Sequence, residues 1–258
     1  MNTSSLTVPV LEAADVVAGY GQRAVLQGLN LAVRPGEVYA LLGSNGAGKT
    51  TTLSLFLGFL APLQGQVRVG GIDPVRDARA ARRQLAYIPE NVALYGHLSA
   101  QENLAYLLHL AGQPASAPVV AQALTAAGLD AAAHRRRVSD FSKGMRQKVS
   151  IAVALARRVP VLLLDEPTSG LDPQASTEFN RVLGQLRSQG VATLMATHDL
   201  LSVADVADRI GFMDAGRLSH EVAAQDGSAS GARFDVLALH RHYARRAMAQ
   251  PAPLEAST

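Results

Sequence analysis

The run Gly43-Ser44-Asn45-Gly46-Ala47-Gly48-Lys49-Thr50 constrains this chain more than any other segment. It sits between residues 38–42, a compact apolar stretch expected to form a strand buried on both faces, and residues 51–60, whose spacing predicts an amphipathic helix. A strand that feeds a helix through so many glycines needs a backbone that turns sharply and approaches something closely. The run satisfies the pattern GxxxxGK[ST], in which successive N–H groups line a concave anion pocket and the helix adds its positive end. Lys49 would then reach the β- and γ-phosphates of a nucleotide, and the Thr50 hydroxyl would sit on Mg²⁺. Kinases, GTPases and transport ATPases all use such a loop, so alone it specifies a phosphate and not a purpose.

A second feature narrows the chemistry. Residues 161–164 form another apolar run, and it ends in two adjacent carboxylates, Asp165 and Glu166. Neighbouring side chains on a strand leave in different directions, so the two acids can take different tasks. Asp165 is expected to hold the Mg²⁺ shell and Glu166 to polarise an attacking water.

The wider pattern is one of strands alternating with helices, which argues for an α/β fold with a mostly parallel core sheet. Short strands are expected around Val16–Val17, at Val25, over 29–33 and over 64–70, with turns at Pro35–Gly36 and Gly70–Gly71. From about residue 100 the texture becomes Ala- and Leu-rich with helical spacing. Helices are predicted over 99–112, 118–128 and 142–158, the first opened by a Ser99/Glu102 capping box. Strands then return at 191–196 and 210–213, with helices over 177–189 and 199–208. The stretch from about 91 to 159 therefore reads as a helical lobe set into the α/β pattern. A glycine-rich segment at 227–231, a short helix over 234–248 and a frayed end from residue 250 complete the reading.

Composition excludes several function classes. The chain has no cysteine, which removes disulfides, thiol catalysis and cysteine–zinc sites and makes a cytoplasmic protein the default. No apolar run reaches the roughly 18 residues a membrane-spanning helix needs, and residues 1–9 lack a secretory signal pattern. The net charge of +3 owes much to Arg135–Arg137, Arg241, Arg245 and Arg246. No aromatic residues are interleaved with these arginines to stack bases, so they read as solvated helix faces and no nucleic-acid partner is expected.

Further segments make the pattern specific. Phe141-Ser142-Lys143-Gly144-Met145-Arg146-Gln147 stands at the start of a predicted helix, Ser169-Gly170-Leu171-Asp172 follows the paired acids, and Ala196-Thr197-His198-Asp199 ends a strand. With Tyr20 and the two segments above, these resemble the ATP-binding cassette family in order and spacing, from Leu11 to about Leu218. The copy of the signature loop, usually LSGGQ, carries Lys143 and Met145 as in exporter-like members of drug-resistance and copper-site-maturation type. The resemblance implies a P-loop core with antiparallel N-terminal strands and an inserted helical subdomain. It implies a cassette over 8–220, with the helical subdomain at about 91–159 and a C-terminal extension over 221–258.

The resemblance also implies the residue roles. Tyr20 would stack on adenine, and Gly43, Ser44, Asn45, Gly46, Ala47, Gly48, Lys49, Thr50 and Thr51 would cradle the phosphates. Thr50 and Asp165 would hold Mg²⁺, while Glu166 and His198 would act on the water and the γ-phosphate. Ser142 and Gly144 would contact ATP bound to a second cassette, either an identical copy or a paralogue, with Asp172 at the D-loop. Residues 85–90 resemble the Q-loop, but Glu90 stands where the family has glutamine. A carboxylate is a better hard-cation ligand than an amide, so Glu90 is expected as a site residue near Mg²⁺.

The implied function is ATP hydrolysis that powers transport, with export favoured, through separate transmembrane permease subunits contacted by residues 91–98. Such a subunit would sit at the cytoplasmic face of the membrane. A soluble cassette ATPase of repair, translation or cluster assembly is the alternative, although one set of motifs and no zinc or coiled-coil insertion speak against it. A GTPase would need an N-K-x-D motif, which is missing.

Overall fold

The computed structural model describes residues 8–21, 23–225, 233–237 and 239. Two sheets organise them. Strands β1 (Leu11–Tyr20), β2 (Arg23–Val33) and β4 (Gln64–Val69) form an antiparallel sheet in the order β2-β1-β4. The larger sheet contains β3 (Val38–Gly43), β5 (Leu85–Ile88), β6 (Val161–Asp165), β7 (Ala192–Thr197), β8 (Arg209–Asp214) and β9 (Arg217–Ala223). Its order is β5-β6-β7-β3-β8-β9, parallel throughout except for the β8–β9 hairpin.

Every residue of β3, β6 and β7 is buried, which explains why their sequences are apolar runs without alternation. Alternate residues still serve different layers. Val38, Ala40 and Leu42 join one core with the helices α3 (Ala100–Leu110), α4 (Ala117–Ala126), α5 (Lys143–Arg157) and α6 (Pro173–Ser188). Tyr39 and Leu41 join a second core with α1 (Lys49–Phe56) and the antiparallel sheet. This is the three-layer arrangement that a parallel sheet requires to bury both faces.

Local signals set several boundaries. The Ser99 hydroxyl accepts from Glu102 N while Glu102 Oε2 accepts from Ser99 N at 2.7 Å, so the expected capping box opens α3. Asp172 caps α6 and Asp199 caps α7 (Leu200–Ala204) in the same way, each accepting from main-chain N–H groups of the first turn.

The structure also amends the sequence reading. The N-terminal strands are continuous over ten and eleven residues, because bulges absorb the interruptions that look like strand breaks. Tyr20 is the last residue of β1, paired with Arg23 of β2. The phosphate-loop helix runs from Lys49 only to Phe56; Gly58, at φ +66°, follows it, and a side chain there would strike the Pro74 carbonyl. The helix before β7 starts earlier than expected, at Pro173, whose fixed φ suits a first turn.

The helix after His198 is shorter than expected, and α2 (Ala78–Arg83), β5 and β9 were not foreseen. The glycine-rich segment at 227–231 and the end from residue 250 lie outside the described residues, as does most of the helix predicted over 234–248. Phe234 and Leu239 are described, and both are buried.

Candidate active site

The carboxyl ends of β3, β6 and β7 lie side by side, and each ends in or is followed by a side chain of one cluster: Lys49, the Asp165–Glu166 pair and His198. The loop after β3 turns through Gly46 (φ +82°) and Gly48 (φ +107°), conformations that glycine adopts without strain. Gly48 is also tightly packed: a Cβ there would come within 2.8 Å of Leu26 Cδ2. The loop borders an open cavity of about 750 Å³. Of the expected residues, Tyr20, Asn45, Gly46, Gly48, Lys49, Thr50, Thr51, Glu90, Asp165 and Glu166 line it. Gly43 and Ser44 contribute their carbonyls, and Ala47 is buried beneath.

Lys49 is 6% exposed. A buried ammonium needs partners, and here Nζ donates to Gly43 O at 2.8 Å and Ser44 O at 3.3 Å and lies 3.5 Å from Glu166 Oε1. Glu166 is the residue just beyond β6, held at φ +45° by a bond from its N–H to Ala196 O. A glutamate in the left-handed region is uncommon, and such strain gathers at functional sites. Three donors converge on its Oε2: the Thr197 hydroxyl at 3.1 Å, His198 N at 3.3 Å and His198 Nδ1 at 2.8 Å. A carboxylate only accepts, so Nδ1 carries the hydrogen and Nε2 is left for another partner.

Asp165 ends β6 and meets the Thr50 hydroxyl at 3.2 Å from Oδ2 and 3.4 Å from Oδ1. Burial raises its pKa above the ordinary carboxylate range; the Thr50 hydroxyl opposes that, and the charge of Glu166 adds to it. The Tyr87 hydroxyl, on β5, lies 3.4 Å from the same Oδ2, and burial followed by the charge of Asp165 pushes that phenol up to about 12. Tyr87 was not anticipated from sequence, nor were the β2 residues Arg23, Val25 and Gln27 that form part of the cavity wall. No sequence signal marks Tyr87: its face is set by the register of β5 on β6, where it pairs with Leu163, two positions before Asp165.

Three expected residues are not brought to this cavity. Ser142 is exposed and caps α5, accepting from Met145 N at 3.3 Å; Gly144 lies in its first turn, against Leu171 and Ala175. Asp172 is exposed at the start of α6. The Gln147 amide, buried in α5, donates to Pro167 O just beyond Glu166.

The family model for the ABC transporter matches residues 26–169, from within β2 to Ser169 at the start of the D-loop segment. This chain belongs to the ABC transporter family. It is 31% identical over 211 residues to the linearmycin resistance ATP-binding protein LnrL of Bacillus subtilis (strain 168), covering 81% of this chain and 68% of the relative. It is 36% identical over 215 residues to the bacitracin transport ATP-binding protein BcrA of Enterococcus faecalis, covering 83% and 69%. Among solved structures, the ATP binding subunit of an ABC transporter superposes with a TM-score of 0.76 at 30% identity, covering 90% of this chain and 98% of that one. The fold is thus that of the ABC ATPases, and the cassette binds nucleotide and hydrolyses ATP.

Proposed function

We propose that this cassette powers export through separate transmembrane permease subunits, docked at the cytoplasmic face of the membrane. The observation that carries the reading is the meeting of Lys49 and Glu166 in the wall of a glycine-lined cavity, with His198 bonded to Glu166. Relatives named for bacitracin transport and linearmycin resistance support the direction. Among the described residues no helix is long and apolar enough to cross a membrane.

In this reading Tyr20 stacks on the adenine, and the N–H groups of residues 43–51 with Lys49 hold the phosphates. Glu166 takes the proton of the attacking water, and His198, donating from Nδ1 to Glu166, donates from Nε2 as an imidazolium to the γ-phosphoryl oxygens as charge develops there. The donor set also suits Mg²⁺. Thr50 and Asp165 offer two hard oxygen donors within reach of one point, and no cluster of three ligating side chains exists among the described residues. Such an ion takes few protein oxygens and completes its shell with phosphate and water, and it neutralises phosphate charge when bound. Glu90 is exposed at the rim and serves as a further oxygen donor.

Ser142 and Gly144, turned away from the chain's own cavity, contact ATP bound to a second cassette, a copy or a paralogue, with Asp172 beside them. The cassette spans 8–220 with a helical subdomain at about 91–159, and residues 221–258 extend it. Residues 91–98 meet the membrane subunits. Tyr95 is 47% exposed there, edge-on to Tyr106, which is 41% exposed, and both stand ready for an apolar partner.

The test is purification of the tagged chain from detergent-solubilised membranes. Recovery with an integral membrane protein that stimulates its ATPase activity supports the reading. Recovery free of any membrane protein, with unstimulated activity, overturns it.

A further inference from the structure

Strand β5 carries a side chain whose position has a chemical use. Tyr87 stands level with Leu163 of the parallel neighbour β6, and Leu85, Tyr87, Val161 and Leu163 all face the core that holds α1. With a period of two, Asp165 leaves β6 on that same face, one pleat further along. A tyrosine side chain bridges such a step, and the Tyr87 hydroxyl indeed lies 3.4 Å from Asp165 Oδ2. Tyr87 is not among the residues that line the nucleotide cavity, so it acts from behind the carboxylate and not from the ligand side.

We propose that Tyr87 is a positioning residue for metal-dependent nucleotide binding: its hydroxyl holds the Asp165 carboxylate in the orientation that presents it beside Thr50. This rests on the reading of Asp165 as an ion-holding carboxylate. Two hydroxyls donate to Asp165, and they are not equivalent. Thr50 is exposed at the first turn of α1 and is itself a ligand-holding group, so its hydroxyl has a competing task. The hydrogen bond from Tyr87 has no such competitor in the cavity, and the ring is fixed by the packing of β5 on the core. Donation from behind orients the acid and keeps its remaining lone pairs for the ligand side, as outer partners of ligating carboxylates do.

The test uses Tyr87→Phe, which removes one oxygen and keeps the ring. The affinity for an imido analogue of ATP, which is not hydrolysed, is measured calorimetrically with Mg²⁺ and with EDTA, in the wild type, in Tyr87→Phe and in Asp165→Asn. A melting curve without ligand checks folding. The enhancement of affinity by Mg²⁺ is expected to fall about tenfold or more in Tyr87→Phe, with affinity in EDTA unchanged. A merely structural role would lower the melting temperature or weaken both affinities together. An unchanged Mg²⁺ enhancement in Tyr87→Phe, with a reduced one in Asp165→Asn, overturns the role of Tyr87 alone. An unchanged enhancement in Asp165→Asn overturns the reading beneath it as well.

Discussion

The Lys49 ammonium lies 3.5 Å from Glu166 Oε1, so the cation assigned to the phosphates and the carboxylate assigned to the water neutralise each other. Nucleotide must take over the part that Glu166 plays for a lysine that is 6% exposed. The exchange is favourable because a phosphate brings more negative charge than it displaces and the main-chain N–H groups of the loop come with it.

Glu166→Gln follows directly. The amide cannot accept the water's proton, and it no longer competes for Lys49 with a full charge. Phosphate release should fall about a hundredfold or more, while ATP affinity in a binding titration stays equal or rises. Wild-type turnover in this variant would remove Glu166 as the base.

Asp165→Asn separates stability from function. Burial raises the Asp165 pKa, so the folded state holds its proton more tightly than the unfolded chain does. The stabilisation from this group is complete below the ordinary carboxylate range and is lost as pH rises through the raised value. At pH 7 the charged acid is therefore a cost to the ligand-free fold. The asparagine variant should melt at a temperature higher by on the order of a degree or two at pH 7, with no advantage near pH 3. Its Mg²⁺-dependent hydrolysis should be lost.

Ser142→Ala tests the shared site. Ser142 caps α5 and is not part of its own chain's cavity, so ATP binding by one chain should be unchanged. Hydrolysis should drop about tenfold or more, because a donor aimed at the partner's nucleotide is gone. Loss of the cap costs about 1 kcal/mol, which a melting curve measures separately.

Gly211→Ala probes the core behind the site. A Cβ on Gly211 would come within 2.0 Å of the Tyr39 hydroxyl, which donates to Glu221 Oε1 at 2.7 Å and is covered by the Arg209 guanidinium. The overpacked variant should lose about 1–3 kcal/mol in chemical denaturation.

How much of this was legible in the chain depends on range. The phosphate loop, the paired acids, the α3 capping box and the buried strands are local patterns, and local patterns survive in a sequence. Strands β1 and β2 read as fragments because bulges at Asp15 and near Gly19 break their alternation while pairing continues. Strand β5 was hidden because four residues carry too little period to register, and with it went the contact of Tyr87 with Asp165, 78 positions apart. The locations of Ser142 and Gly144 outside the cavity, too, are set by the packing of α5 and not by the signature loop itself.

The placement of β5 at the rim of the large sheet has one more consequence. A strand with a single neighbour, tied over only four residues, is held by fewer ladder bonds than the inner strands β6, β7 and β3. Glu90 and the loop behind it are mounted there, while the phosphate loop and His198 hang from the inner strands β3 and β7. A push on that loop would thus enter the sheet at its margin, beside Tyr87 and Asp165, and not through the inner strands that carry the phosphate loop and His198.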